Sequence, residues 1–90
     1  MSYSFSVKAE SKTAAILAAE DKFKAEVLAR NPIHAKDEAV AFNRLREHMA
    51  LIPDPNADES IEVTMHGSIW AQDGQVRSCS SGCSVGIGRK

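Results

Sequence analysis

Ser60-Ile61-Glu62-Val63-Thr64-Met65-His66-Gly67-Ser68-Ile69-Trp70-Ala71-Gln72-Asp73-Gly74 carries the reading that decides the fold. From Ser60 to Trp70 polar or small residues alternate with apolar ones, the period that sends successive side chains to opposite faces of a strand. Asp73-Gly74 follows, a strong hairpin signal, and Val76 to Gly88 alternates again through Ser84-Val85-Gly86-Ile87. At the other end Ser2-Tyr3-Ser4-Phe5-Ser6-Val7 has the same period, which predicts a strand over Tyr3 to Ala9 with Tyr3, Phe5, Val7 and Ala9 inward.

Register within the hairpin turns on the loop. A two-residue Asp73-Gly74 turn with unbroken strands pairs Ile69 with Ser78 and Val63 with Ser84, mixing apolar and polar residues on one face. A three-residue loop, Gln72-Asp73-Gly74, pairs Met65 with Ser81, Val63 with Cys83 and Ile61 with Val85. That loop, or an equivalent bulge in the third strand, is therefore expected.

Between the terminal strands two stretches read as helices. Ser11 is a suitable N-cap, and Ile16, Ala19, Phe23 and Val27 form a stripe running toward Arg30. Glu20 with Lys24 and Glu26 with Arg30 have i,i+4 spacing, each contributing about 0.3 kcal/mol. Asn31-Pro32 ends this helix, since proline disfavours helical geometry in the residue before it. The second helix is predicted over Ala35 to Leu51, with Ala35, Ala39, Phe42, Leu45, Met49 and Ile52 apolar on one side. Pro53 to Asp58 forms a polar loop.

The expected architecture is α+β with order β-α-α-β-β: a three-stranded antiparallel sheet, adjacency 1-2-3, and two helices packed on one face. Ninety residues accommodate one domain. The 43% hydrophobic and 26% charged content is that of a soluble globular protein. A net charge of -1, with Arg89-Lys90 as the lone basic cluster, argues against nucleic-acid binding through phosphates. Lys8, Glu10 and Lys12 interrupt any secretory apolar run and no stretch is long enough to span a bilayer, so a cytoplasmic protein without membrane contact is expected.

Catalytic and metal chemistry find little support. Cys79 and Cys83 share a face of a straight strand, their Cα atoms about 13 Å apart, beyond the roughly 7 Å that a disulfide tolerates. They read as two small buried hydrophobes. His34, His48 and His66 lack the spacing that pre-positions metal ligands. His34 is assigned to the turn after Pro32 and His48 to a solvated helix flank. His66, Ser68 and Asp73 superficially offer a triad but lack a pocket and an oxyanion hole. Ser84 to Arg89 lacks the helix that a phosphate loop requires. Lys22, Lys24, Arg44 and Arg46 alternate with acids as a solvated face. No enzyme, cofactor or metal is implied.

The face opposite the helices is the candidate contact surface: Ser4, Ser6, Thr64, His66, Ser68, Trp70, Ser80 and Ser84. Trp70 reads either as a contact residue or as a ring folded over the sheet edge near the hairpin end. A three-stranded face offers a few hundred Å2, against about 800 Å2 per partner in a standard interface. Binding therefore requires an edge strand as well, or a homodimer that doubles the surface.

Ser4-Phe5-Ser6-Val7-Lys8-Ala9, Pro32-Ile33-His34-Ala35, Val63 to Trp70 and the serine-alternating last strand together resemble a group of small phage and prophage proteins. The resemblance covers most of the chain, and the two cysteines depart from the Ser/Val alternation of that group. It implies an accessory protein of phage or bacterial origin that works in the host cell without catalysis. Its partner would be a bacterial or phage protein, and its sharpest form is an inhibitor of a host defence or regulatory protein. Two other classes remain in view. One is an oligomeric, sponge-like binder of small ligands; the other is a sheet-based nucleic-acid reader stacking bases on Tyr3 or Trp70.

Overall fold

Each connection in the chain reverses its direction, so the three strands end up antiparallel. The computed structural model describes residues 1–89; Lys90, half of the terminal basic pair, lies outside them. Strand β1 is Ser2–Ala9, helix α1 is Lys12–Lys22 and continues as a π-helical segment Phe23–Leu28, and a 3-10 turn covers Pro32–Lys36. Helix α2 is Glu38–Leu51, and strands β2 (Glu59–Gln72) and β3 (Gln75–Arg89) close the fold. Sheet order is β1-β2-β3, both pairings antiparallel, which gives the expected α+β arrangement.

In place of the three-residue loop the hairpin has a bulge in the third strand, the other form expected, though in a different register. Asp73 (φ 53°) and Gly74 (φ 76°) are both left-handed and make a two-residue turn, whose twist matches that of the flanking strands. Gln72 then faces Gln75 and Ala71 faces Val76, but Trp70 faces Ser78, which leaves Arg77 as an extra residue in β3. That bulge moves the register two positions from the one expected. Ile61 faces Ile87, Val63 faces Val85 and Met65 faces Cys83. The reason is cross-strand packing: like apolar residues now stand opposite one another on the face beneath the helices.

Ser11 caps α1, its hydroxyl accepting from the Ala14 amide at 3.1 Å. Ala15, Ala19, Phe23 and Val27 are its buried residues, with Ile16 only half-buried. A strict four-residue spacing drifts about 40° per step around a 3.6-residue helix. The wider π turns beginning at Phe23 wind that drift back, keeping Phe23 and Val27 over the sheet. The anticipated charge pairs change accordingly. Glu20 bonds Arg46 of α2 at 2.9 Å, and Glu26 lies 3.8 Å from Lys22.

Helix α2 starts later than expected because the 3-10 turn occupies Pro32–Lys36. Its buried residues are Ala41, Phe42, Leu45 and Met49, whereas Ala35 and Ala39 are exposed. Lys12 ties the following loop to the start of α1, donating to the Ile52 carbonyl at 2.6 Å.

The core joins these helical residues to Phe5, Ile61, Val63 and Met65. At its end the Tyr3 ring lies flat on Gly67, with Phe23 5.3 Å and His34 4.9 Å away, both edge-on. A Cβ on Gly67 would stand 2.5 Å from Cε1 of Tyr3, so the ring would have to shift out of its packing against Phe23 and His34. Gly67→Ala is accordingly expected to cost about 1–3 kcal/mol by overpacking. In a Tyr3→Ala background the same change should cost much less, a non-additivity that urea unfolding of the four variants measures.

Candidate functional site

Parity along the strands assembles the outer face. Ser6, Thr64 and Ser84 form one row across the sheet; Ser4, His66 and Gly82 form the next; Ser2, Ser68 and Ser80 the third; Trp70 and Ser78 close it. All eight residues singled out from the sequence lie on this side, opposite both helices. Seven are exposed, and Thr64 is half-buried.

Two contacts hold the surface in place. The Ser6 and Thr64 hydroxyls bond each other at 3.0 Å. The His66 imidazole lies across Gly82, where an added Cβ would stand 2.7 Å from Cε1 and 2.8 Å from Nε2. Beyond His66 toward the hairpin tip, Trp70 is 58% exposed, a large apolar ring standing among hydroxyls. The site therefore offers hydroxyls that both donate and accept, one imidazole and one indole. Among the described residues, no hydrogen bond joins His66 to Ser68 or Asp73, and no group of three metal-ligating side chains gathers.

The helix side holds polar groups that sequence reasoning placed differently. His34 does sit in the turn after Pro32, but its ring is only 1% exposed, and Asp37 is 5% exposed. The two ring nitrogens of His34 and the Tyr3 hydroxyl have no hydrogen-bond partner among the described residues, and the Asp37 oxygens find none outside their own residue. Burial pushes His34 below its usual pKa, an effect that Asp37 opposes. Burial likewise raises Asp37, opposed by His34, and raises Tyr3 to about 12, reinforced by Asp37 and Cys83. A groove of about 200 Å3 opens beside this cluster, lined by Tyr3, Phe5, Glu26, Arg30 and His34 among others. The sequence signal was Pro32-Ile33-His34, a histidine held by a proline-led turn, but nothing in it indicated burial.

Neither cysteine is fully buried, a correction to the reading of two enclosed hydrophobes. Cys79 is exposed and Cys83 half-buried, and both thiols are free. Cys79 escapes cover because α2, 14 residues and about 21 Å long, cannot follow a 15-residue strand of roughly 50 Å. The Cys83 sulfur lies 3.3 Å from Nδ1 of His48, so the expected solvated flank of α2 makes a specific contact there. Burial raises the Cys83 pKa against the opposing effect of Arg44. Arg44 is exposed and Lys22 partly so, as the solvated-face reading expects, yet both also make specific contacts. Arg44 donates to the Ser81 carbonyl at 2.8 Å and Lys22 to the Ser6 carbonyl at 3.1 Å, one on each open edge of the sheet.

No family model, curated protein or solved structure matches this chain. Among the described residues no helix is long and apolar enough to cross a membrane. The buried histidine yields a pH-dependent expectation. A depressed folded pKa means the unfolded chain binds more protons just below His34's ordinary 6.5, so stability falls as pH drops through that value. His34→Phe should lack that part of the acid sensitivity, seen by comparing urea midpoints of both proteins from neutral to mildly acidic pH.

Proposed function

We propose that this chain acts by binding another protein rather than by catalysis, and that the outer face of the sheet is its contact surface. The observation that carries this reading is Trp70, 58% exposed on a face away from both helices. A rigid aromatic ring set among small hydroxyl residues gives contact area at low entropy cost. His66 lying on Gly82 and the Ser6–Thr64 bond hold neighbouring groups in place before any partner arrives, which lowers the ordering cost of association.

The half-buried Cys83 has a raised pKa, and among the described residues no hydrogen bond joins an outer-face hydroxyl to the His66 imidazole, which favours a binding role. The resemblance to small phage and prophage proteins supplies the setting: an accessory protein acting on a bacterial or phage protein. In its sharpest form it inhibits a host defence or regulatory factor.

Trp70→Ala and His66→Ala are expected to abolish capture of a specific protein from bacterial lysate by the tagged chain. Both should leave stability within about 0.5 kcal/mol, as surface substitutions do. Capture undiminished in both variants, or a large loss of stability in either, would defeat the proposal.

A further inference from the structure

The β3 edge and the flank of α2 above it form a second surface, separate from the outer face. Backbone polarity along the sheet fixes which groups it presents. Ile69 exchanges both backbone bonds with Met1, at 2.8 and 3.1 Å, so β2 residues of odd number bond toward β1. In an antiparallel ladder their partners in β3 then turn N–H and C=O away from β2. The Ser81 carbonyl, reached from outside by Arg44, does so. The same phase applies to Cys79, Cys83, Val85 and Ile87.

Such an edge is a template for strand addition unless it is blunted by charge, proline or brevity. β3 is 15 residues long, has no proline, and carries charge only at Arg77 and Arg89. The opposite edge differs: β1 is eight residues long and includes Lys8.

Above β3, Val40, Arg44, Glu47 and Leu51 follow each other at four-, three- and four-residue spacing and share one line on α2. Val40 is 52% and Leu51 83% exposed, although both are large and apolar. Val40 and Arg44 also line a groove of about 290 Å3, with Lys36 and Asp37 at the start of α2 and Cys79, Ser80 and Ser81 at the strand edge.

We infer that this surface binds a second copy of the chain, through antiparallel β3–β3 pairing about a two-fold axis. Self-complementarity identifies the partner. A two-fold that sets Val40 opposite Leu51 of the other copy necessarily sets Arg44 opposite its Glu47, joining apolar to apolar and base to acid in one operation. The strands agree with the helices. Arg44 reaches Ser81 and His48 reaches Cys83, so the midpoint of that helix line lies over Gly82. An axis through Gly82 pairs Ser81 with Cys83, Cys79 with Val85 and Ser80 with Ser84 across the junction.

Arg44 exchanges the Ser81 carbonyl for Glu47 of the second copy, which frees that carbonyl for the ladder. Leu51 of the second copy arrives at the groove beside Val40. The result is a continuous six-stranded sheet whose hydroxyl face is doubled, while four helices lie together on the other side.

Light scattering after size exclusion tests this on the full chain. Wild type should run at twice the 9.7 kDa chain mass, dissociating on dilution. Glu47→Arg opposes like charges and should give monomer. The pair Arg44→Glu with Glu47→Arg should restore the dimer. Val85→Pro removes an N–H that points to the open edge and should also give folded monomer by circular dichroism. Trp70→Ala should remain dimeric, which keeps this inference distinguishable from the outer-face reading. A wild-type monomer at every concentration, a Glu47→Arg dimer as tight as wild type, or loss of the dimer on Trp70→Ala alone would each overturn it.

Discussion

Burial of one face of β2 is the constraint on which the other elements depend. It is the central strand, paired on both sides, and Ile61, Val63 and Met65 beneath the helices are fully buried. At about 25 cal/mol per Å2 of apolar surface, residues of this size supply most of the drive to bring two helices onto the sheet. β1 and β3 are held by their ladders to β2, and the helices by Phe23, Val27, Phe42, Leu45 and Met49 packing down onto the same ridge. Gly67 interrupts that ridge before Ile69, which is 1% exposed. With no side chain there, Tyr3 lies across the strand, and the turn between the helices passes above it carrying His34.

That junction is polar where an apolar layer would be cheaper. Leaving a buried polar group unbonded costs about 1–3 kcal/mol, and Tyr3, His34 and Asp37 meet there with little to bond. The shifts of His34 and Asp37 both favour neutral forms, the response of ionisable groups taken from water without a full partner. The rest of the core is strongly apolar, so this corner concentrates the local weakness of the fold at the point where α1 hands over to α2. Acid acts on it from one direction through His34.

Much of the architecture was legible because period two is a strong signal and insensitive to small errors. The register moved two positions from the expected one, yet every outer-face residue stayed on its face, since parity survives an even shift. What was not legible depended on single residues or on lengths. The extra residue at Arg77 leaves no compositional mark. The exchange of Ala39 for Ala41 follows from the 3-10 turn that delays α2, and the burial of His34 from the path of that turn over Tyr3. Cys79 is exposed because strand rise exceeds helix rise, so the long hairpin outruns its cover; Cys83 stays under α2 beside His48.

That mismatch also gives the molecule its character as a surface. An elongated body of 50 by 23 by 15 Å presents a hairpin with one face bare throughout and its tip uncovered. Serine, threonine and glycine there shed little water and shield nothing, so they neither drive folding nor forbid approach. The large groups there are Trp70, His66 and the Lys8–Glu62 ion pair at the far end of the face, and His66 lies on a glycine. At the edges the chain behaves differently: a cation from a helix covers one carbonyl on each side, Lys22 at Ser6 and Arg44 at Ser81. On the short β1 edge, where Lys8 adds a charge, that cap covers one of the four outward-turned residues Ser2, Ser4, Ser6 and Lys8. Along β3 it covers one position in a run of outward-turned residues, directly beneath the exposed Val40 and Leu51, so the longest edge is also the least protected. A sheet closed by helices on one side only can gain area by extending sideways. The distribution of charge and apolar surface leaves β3 as the side on which it extends.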